Sequence, residues 1–510
     1  MSAGLLFSFV IGYFLLLLGV AWYTSRNSNN ESFFIGNRSS NWMLVAFGMI
    51  GTSLSGVTFV SVPGTVGGAG FQYFQVVIGY FLGYLVIAFI LLPLYYKLNL
   101  SSIYYYLEQR FGKVSYKTGA TYFILSRTLG ATARMFLVVN ILQLFILDRM
   151  GIPFWATAAV ILLLILMYTF EGGVKTIVYT DTLQTTFMLL GLIVCIVAIM
   201  NKLDLNLGST LSAMEAKGMT TLFNTDYKSS GFFIKQIIGG AFITIAMTGL
   251  DQEMMQKNIS VRTLKDSQKN VMTLSVVLLL VNFLFLLMGG LLYLYADANG
   301  LSIKGDDLFP AVALGNYLSA FIGVIFIIGL ISALFPSADG ALTALTSSFC
   351  IDILGFKRRT DMDEKGKRRL RLTVHLTLTI VFFLCVMVFK WMNDKSIIDV
   401  ILKLAGYTYG PLLGLFAFGI LTKRKINDRA SIWVCIVAPL LVLGIDLLNN
   451  AEWFINKLSL DKSTADSLKE VSLTVFSGFR IGIELLILNG FFTFLGLYLI
   501  SKKSNTSVKP

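Results

Sequence analysis

The feature that most constrains this chain is a series of thirteen apolar runs separated by short polar segments. Most of the runs reach the roughly 20 residues that a helix needs to cross the hydrocarbon core of a bilayer. Runs of this length and spacing are typical of an integral membrane protein rather than of a buried soluble core. The predicted spans lie at about 4–24, 42–70, 72–96, 118–147, 154–171, 176–201, 233–255, 271–296, 318–350, 372–391, 396–421, 430–448 and 479–501. The sequence therefore predicts an all-α fold in a lipid bilayer.

Lysine and arginine are distributed unevenly between the segments that connect these spans. Every second segment, together with the tail 502–510, belongs to one set, and this set holds 26 of the 41 basic residues. Basic residues concentrate in the cytoplasmic loops of membrane proteins. The bias therefore predicts an odd number of spans, with the N-terminus outside and the C-terminus in the cytoplasm. It also accounts for the net charge of +13 without a nucleic-acid partner.

The spans fall into two groups of five, preceded by one extra helix at 4–24 and followed by two helices within 430–501. Because five is odd, the groups 42–201 and 233–421 would insert with opposite orientations, which is the inverted repeat of many secondary transporters. The first span of each group contains glycine and hydroxyl residues, which interrupt helices and expose backbone groups. The pattern predicts a single transmembrane domain over 1–510, with a binding site formed by these two broken spans.

The ninth span contains an unusual polar stretch, ISALFPSADGALTALTSSF, at 331–349. Pro336 cannot donate a backbone hydrogen bond, so a carbonyl one turn earlier is freed. At about 100° per residue, Ala333 and Ser337 lie on the same helix face as this proline. Carbonyl and hydroxyl oxygens on that face suit a monovalent cation such as Na⁺, since divalent cations take more carboxylates. A buried acid such as Asp339 is costly without a partner, so it is predicted to bind a cation or to titrate.

Other charged residues lie inside apolar runs. Asp181, at the start of the sixth span, either completes a cation site against the helix of Asp339 or is a helix-end acid with local bonds. Arg134 lies near the middle of the fourth span, and Arg127 lies about two turns closer to the cytoplasm. A buried guanidinium needs a planar acceptor. That acceptor is either a carboxylate of the protein or the carboxylate of a solute.

Motifs for other classes of protein are missing from the sequence. No Walker loop, kinase signature, HExxH or GxSxG is present, so neither ATP-driven transport nor an enzyme is predicted. The four cysteines are scattered through separate spans, and the single His375 has no histidine partner, so no metal or disulfide framework is indicated. A membrane sensor built on a transporter-like domain is the alternative from another class.

Four motifs in the chain resemble those of the sodium/solute symporters. They are EGGVKTIVYTDTLQ (171–184), LDQEMMQKNISVRTLKDSQKN (250–270), ISALFPSADGALTALTSSFCIDIL (331–354) and GYTYGPLLGLFAFGIL (406–421). The resemblance covers about residues 1–430. It implies the LeuT-type fold, a place in the bacterial inner membrane, and uptake of a solute coupled to the entry of Na⁺.

The resemblance also implies a sodium site between the second and ninth spans. Its implied ligands are the carbonyl oxygens of Gly51, Leu54 and Ala333 and the hydroxyl of Ser337. Pro336 stands where the family usually has a second hydroxyl residue. Some members, such as a sialic acid symporter, bind another sodium ion through the aspartate that matches Asp181 and hydroxyls of the ninth span. Those hydroxyl positions read Asp339 and Gly340 here, so the number of sodium ions is left open.

For the solute, the resemblance favours an organic anion such as sialic acid or a monocarboxylate. Sialic acid symporters hold their solute through an arginine of the fourth span and hydroxyls of the second span. The matching residues here are Arg134, Ser53, Ser55 and Thr58. The nearest glutamines on the third span are Gln72 and Gln75, and Thr244 stands where the galactose symporters have a sugar-binding residue.

Two alternatives stay open for the coupling and the solute. One is a proton-coupled symporter of the same fold, in which Asp339 titrates. The other is a sodium-coupled carrier of a neutral solute, such as a sugar, an amino acid or a vitamin. The sequence leaves the oligomeric state open.

Overall fold

The computed structural model describes residues 3–25, 40–315, 317–358, 362–392, 397–458 and 461–503. Parts of the predicted cytoplasmic segments 25–41 and 353–371 and of the tail 502–510 lie outside these ranges. The described chain is built almost wholly from helices, with one short antiparallel ladder between β1 (Lys425–Ile426) and β2 (Ser501–Lys502). This ladder joins the segment before the twelfth predicted span to the end of the last one.

The helices agree closely with the apolar runs. In chain order they are α1 (Ala3–Ser25), α2 (Trp42–Ala69), α3 (Tyr73–Lys97), α4 (Tyr105–Arg110), α5 (Lys113–Met150), α6 (Phe154–Lys202), α7 (Leu207–Ala216), α8 (Phe233–Gly249), α9 (Gln252–Ile259), α10 (Leu264–Ala298), α11 (Leu308–Leu314), α12 (Ala320–Ile353), α13 (Glu364–Met392), α14 (Ile397–Thr408), α15 (Gly410–Leu421), α16 (Ser431–Asn449), α17 (Ala451–Leu458), α18 (Lys462–Phe476) and α19 (Leu485–Leu499).

Within the described ranges, nine helices are long and apolar enough to cross a bilayer. Two further crossings are bent pairs, α8 with α9 at 66° and α14 with α15 at 45°. Two shorter apolar helices, Phe154–Phe170 within α6 and Leu485–Leu499, coincide with the remaining predicted spans. The apolar segments are therefore helical where the sequence predicts them, while the number of membrane crossings stays a prediction.

Helix α6 differs from the sequence interpretation at one point. It runs without interruption through 49 residues and covers both 154–171 and 176–201, which the sequence separates by a short loop. A straight helix of this length extends about 74 Å, more than twice the thickness of a hydrocarbon core. Continued helical hydrogen bonding satisfies the backbone groups of the connection, which would otherwise need other partners.

Both breaks predicted for the first span of each group are present. Helix α2 is interrupted at Ser55, whose φ of 45° and ψ of 169° are not helical. The second break lies between α8 and α9, where Leu250 and Asp251 leave the helical conformation. The boundaries of the two repeats, 42–201 and 233–421, stay a prediction.

Small residues allow the helices around these breaks to approach closely. A Cβ atom on Gly79 of α3 would collide with the backbone of Ile237 in α8, and one on Gly240 would collide with the backbone of Val76. Close packing of helix backbones at small residues is a main source of stability in membranes, where apolar burial drives association only weakly.

Large apolar side chains cover the outer surface of the helices. Trp22 is 65% exposed, Leu163 55%, Leu280 63% and Leu440 60%, and these residues belong to four different helices. Water-facing surfaces rarely carry so much contiguous apolar area. The surface is that of a protein whose solvent is a lipid bilayer.

Candidate functional site

The break in α2 exposes backbone carbonyls in the middle of a buried helix. When a helix is interrupted, the carbonyls of the preceding turn lose their intrahelical partners. At Ser55 this turn contains Gly51 and Leu54, both of them buried. The conformation of Ser55 is one that non-glycine residues rarely adopt, and such strain costs about 1–3 kcal/mol and clusters at functional sites.

Helix α12 packs directly against this interrupted turn. A Cβ atom on Gly51 would lie 3.4 Å from Cγ of Pro336, which is van der Waals contact. Ala333 and Ser337 lie one turn apart on α12 beside that proline, and both are buried. The Ser337 hydroxyl donates to the carbonyl of Leu334 at 2.8 Å, which leaves its oxygen lone pairs available. The structure thus brings together the segments that carry the four sequence-predicted sodium ligands.

Helix α6 supports the interrupted turn from the opposite side. The backbone N–H of Gly51 donates to the hydroxyl of Thr185 at 3.1 Å. One turn earlier, the carboxylate of Asp181 accepts from the hydroxyl of Thr52 at 3.2 Å. Two side chains of α6 therefore hold the turn that precedes the break at Ser55.

The chemistry of this donor set fits a sodium ion. The residues that meet here offer neutral carbonyl and hydroxyl oxygens from α2 and α12, in a buried position. Hard cations take oxygen ligands, and a set without carboxylates suits a single positive charge. The residues Gly51, Leu54, Ala333 and Ser337 would hold the ion, and Pro336 adds no side-chain ligand.

A cavity opens on the other side of the same turn. Four of its lining residues, Ser53, Ser55, Thr58 and Thr244, are hydroxyl residues that the sequence assigns to solute binding. The rest of the lining includes Thr52, Leu54, Val57, Tyr73, Tyr80, Tyr84, Arg127, Arg134, Ile243, Met247, Thr248, Met254, Leu278, Asn282, Ile398, Ile401 and Leu402. The lining thus combines converging hydroxyl and guanidinium groups with apolar side chains, as in a site that binds a polar small molecule.

The two arginines of α5 have different environments in this cavity. Arg127 pairs with Glu253 and has its Nε 3.8 Å from Oδ2 of Asp251. Arg134 lies two turns further along the same face, and it forms no ion pair or hydrogen bond with any described residue. Tyr73 and Tyr80 line the cavity with it, and their hydroxyls are 3.2 Å apart. Arg127 is thus held by the protein, whereas the guanidinium of Arg134 lines the cavity without such a partner among the described residues.

One sequence-predicted solute ligand does not reach the cavity. The side-chain amide of Gln75 donates to the carbonyl of Gln72 at 2.8 Å, and its oxygen accepts from the backbone of Asn224 at 3.2 Å. Both partners lie in connecting segments, and Gln75 is not part of the cavity lining. The structure therefore gives Gln75 a role in holding the segment near Asn224.

Lys257 of α9 is buried beside Asp181. Its Nζ donates to Oδ2 of Asp181 at 2.7 Å and to the hydroxyl of Thr52 at 2.8 Å, and it lies 3.4 Å from Oε1 of Glu253. The charge pattern of the sequence counts this lysine among the cytoplasmic residues, but its side chain is only 3% exposed. Buried carboxylates offset the cost of withdrawing this charge from water.

Asp181 and Asp339 have different hydrogen-bond partners. Oδ2 of Asp339 accepts from the hydroxyl of Tyr168 at 2.7 Å, and Oδ1 accepts from the backbone N–H of Gly340 at 2.5 Å. A Cβ atom on Gly340 would collide with the carboxylate of Glu253, so glycine is needed for α9 and α12 to approach. A direct role for Asp339 in binding a cation stays a prediction.

Several residues of this centre escaped the sequence interpretation. Glu253, Lys257 and Asp251 all lie in the quoted motif at 250–270, yet no role follows from the motif alone. The spacing of Glu253 and Lys257, four residues apart, is the available signal because such residues are neighbours on a helix. Tyr409, which lies between α14 and α15 and whose hydroxyl donates to Asp251 at 3.1 Å, carries no such signal.

Comparison with known proteins identifies the family. Residues 33–438 match the sodium:solute symporter family, which is well over half of the chain. The chain belongs to this family. It is 25% identical to the sodium/sialic acid symporter of Proteus mirabilis over 455 residues. This alignment covers 86% of this chain and 88% of the relative. The chain is 26% identical to the sodium-coupled monocarboxylate transporter 1 of Mus musculus, over 86% of this chain and 72% of the relative.

A solved structure shows the fold of this family member. It is the substrate-bound outward-open state of a Na⁺-coupled sialic acid symporter, and it superposes with a TM-score of 0.79 at 19% identity. The match covers 98% of this chain and 99% of the other. The protein is therefore a multi-pass membrane transporter with the LeuT-type fold that the sequence predicts.

Proposed function

We propose that this chain is a sodium-coupled symporter that carries a small organic anion, such as sialic acid or a monocarboxylate, without converting it chemically. The observation that carries the proposal is the position of the interrupted turn in α2. Gly51 packs between Thr185 of α6 and Pro336 of α12, the helix with the proposed sodium ligands, while Ser53 and Thr58 line the cavity. One strained segment therefore belongs to both sites.

This shared segment supplies a physical route for coupling. An ion that binds the free carbonyls near Gly51 orders the turn, and the same turn presents hydroxyls to the solute. By thermodynamic linkage, sodium raises solute affinity by the same factor by which solute raises sodium affinity. The joint occupancy of both sites then favours closure of the cavity under Ile398, Ile401 and Leu402.

The preference for an anion rests on Arg134. A guanidinium presents two parallel N–H donors that match a carboxylate, and such pairs are among the stronger hydrogen-bonded contacts in proteins. The hydroxyls that surround Arg134 in the cavity suit the remaining polar groups of such a solute. The two relatives named above are described as carriers of sialic acid and of monocarboxylates, and both of these solutes carry a carboxylate.

We further propose that the protein lies in a bacterial inner membrane, with its N-terminus outside and its C-terminus in the cytoplasm. The distribution of 26 of the 41 basic residues over one set of connecting segments supports this orientation. A cysteine placed before α1 is expected to react with an impermeant thiol reagent in whole cells, and one placed after β2 is expected to react only after lysis.

The experiment that tests the function is uptake into proteoliposomes. Labelled sialic acid, short monocarboxylates, hexoses and proline are supplied in turn with a sodium gradient, a proton gradient or no gradient. We expect an acid to accumulate only with the sodium gradient. Accumulation with the proton gradient alone would establish the proton-coupled alternative, and accumulation of a neutral solute alone would refute the anion assignment.

The sodium site has a matched pair of variants on α12. Ser337→Ala removes an implied ligand, and we expect it to raise the sodium concentration for half-maximal uptake about 10- to 100-fold, because a hydrogen-bond-scale contact to a charged group contributes about 1.5–3 kcal/mol. Ser332→Ala is the control, because it removes another serine hydroxyl from α12. The Ser332 hydroxyl donates to the hydroxyl of Tyr13 at 2.7 Å, so its loss should leave the sodium concentration for half-maximal uptake unchanged. An equal shift in both variants would place the ion elsewhere.

A further inference from the structure

The ammonium group of Lys257 is enclosed by oxygen atoms from three helices. These atoms are Oδ2 of Asp181 in α6, Oγ1 of Thr52 in α2 and Oε1 of Glu253 in α9, at 2.7, 2.8 and 3.4 Å. All four side chains are buried. A buried ammonium is costly unless several acceptors surround it, so this arrangement is a built pocket for a single positive charge.

The pocket lies immediately behind the interrupted turn. Thr52 follows Gly51, whose carbonyl belongs to the proposed sodium site, and Thr52 also lines the cavity. Asp181 of α6 also packs against Gly48 of α2, the helix that carries Thr52. A Cβ atom added to Gly48 would lie 3.0 Å from the Cβ atom of Asp181. The ammonium therefore contacts the one segment that serves both ion and solute.

Within the described chain, the carboxylate of Asp181 has hydrogen bonds at only one of its two oxygens. Oδ2 of Asp181 accepts from both Lys257 and Thr52, whereas Oδ1 is buried and has no hydrogen-bond partner among the described residues. A carboxylate in this state attracts any mobile cation that can reach it. The positive charge of Lys257 beside it repels such an ion, and the repulsion is strong in a buried site.

We propose that Lys257 is a tethered cation that takes the place of a dissociable sodium ion at Asp181. The inference rests on the proposed function and specifies its stoichiometry. The protein then binds one sodium ion per cycle, at the α2–α12 site, and the second positive charge that the Asp181 pocket needs is always present. Removal of the lysine charge with Asp181 retained converts the pocket into a second sodium site.

The test counts sodium ions with ²²Na⁺ alone as the probe, by equilibrium binding to the purified full-length protein. We expect one bound ion in the wild type and two in Lys257→Ala, in which the side chain no longer fills the pocket. The double variant Lys257→Ala with Asp181→Asn should return to one ion. Lys269→Ala is the control, since this lysine is half exposed and forms its ion pair with Asp266, one turn earlier in α10.

The same variants are then compared in proteoliposomes. Initial uptake of the solute identified above is measured against sodium concentration, and the Hill coefficient should rise from about one in the wild type towards two in Lys257→Ala. A structural role of the lysine would lower uptake or stability without changing the number of bound ions. That result, in a variant that elutes and melts as a folded protein, would overturn the proposal.

The remaining outcomes are also decisive. Two sodium ions in the wild type would refute the tethered cation while leaving the proposed function intact. A wild type that binds no sodium and shows no sodium-driven uptake would refute the proposed function together with this inference. If Lys257→Ala does not fold, the number of sodium ions bound by Asp181→Asn tests the proposal. We expect one bound ion in Asp181→Asn. A variant that binds no sodium would show that Asp181 itself holds the ion, which would overturn the proposal.

Discussion

Replacement of Glu253 by alanine is expected to lower the free energy of unfolding by about 3–5 kcal/mol, because it leaves two buried cations short of a partner. Glu253 pairs with Arg127 on one side and lies 3.4 Å from Lys257 on the other. Arg127 would keep only the more distant Asp251, and Lys257 would keep Asp181. Denaturant- or heat-induced unfolding in detergent, followed by tryptophan fluorescence, measures the change.

A surface ion pair of the same chain provides the control for this prediction. Glu108 pairs with Arg358, whose side chain is 50% exposed. Exposed pairs contribute about 0–1 kcal/mol, so Glu108→Ala should change stability by no more than that. If the two variants unfold alike, the buried cluster does not hold α5 and α9 together as its geometry indicates.

Replacement of Arg134 by glutamine is expected to reduce kcat/KM for uptake of the acidic solute by about 30- to 5,000-fold. The loss of one partner from a buried, hydrogen-bonded charge pair costs about 2–5 kcal/mol. Because Arg134 forms no ion pair with a described residue, its loss should leave protein stability nearly unchanged. Initial rates at saturating sodium give kcat/KM, and the melting temperature serves as the check on folding.

Arg149 supplies the matched control, since it lies on the same helix and its side chain is exposed. Arg149→Gln should transport as the wild type does. Equal uptake of a neutral solute by the wild type and Arg134→Gln would show that Arg134 does not recognise a carboxylate. A loss of stability in Arg134→Gln comparable to that of Glu253→Ala would instead make Arg134 a structural residue.

The fold followed from the sequence because its main determinants are local. A stretch such as 42–69 is apolar along its whole length, and a bilayer leaves a helix as the conformation that satisfies its backbone. The glycine and hydroxyl residues near Ser55 likewise indicated a break, since they weaken the helix where they occur. The loop predicted at 172–175 was wrong because glycine and lysine alone do not end a helix.

The candidate site was predicted only in part. A proline and a serine pointed to one face of α12 as a cation site, whereas the positions on α2 came only from the resemblance to the sodium/solute symporters. The pairing of Arg127 could not be predicted, because Arg127 and Arg134 lie on one face of α5 and only the approach of Glu253 distinguishes their environments. Gln75 lies on α3 between Tyr73 and Tyr80, which line the cavity. Its amide group instead bonds to Gln72 and Asn224, outside the cavity.

By itself, the sequence determined that this protein spans a membrane, that its first and sixth core spans are broken, and that it belongs with the sodium/solute symporters. These properties depend on hydropathy and on residues close together in the chain. Only the tertiary structure decided which buried charges meet. Lys257 reaches Asp181 across 76 positions and Arg127 reaches Glu253 across 126. A pairing over such separations is determined by which helix faces pack together, and no local pattern encodes that choice.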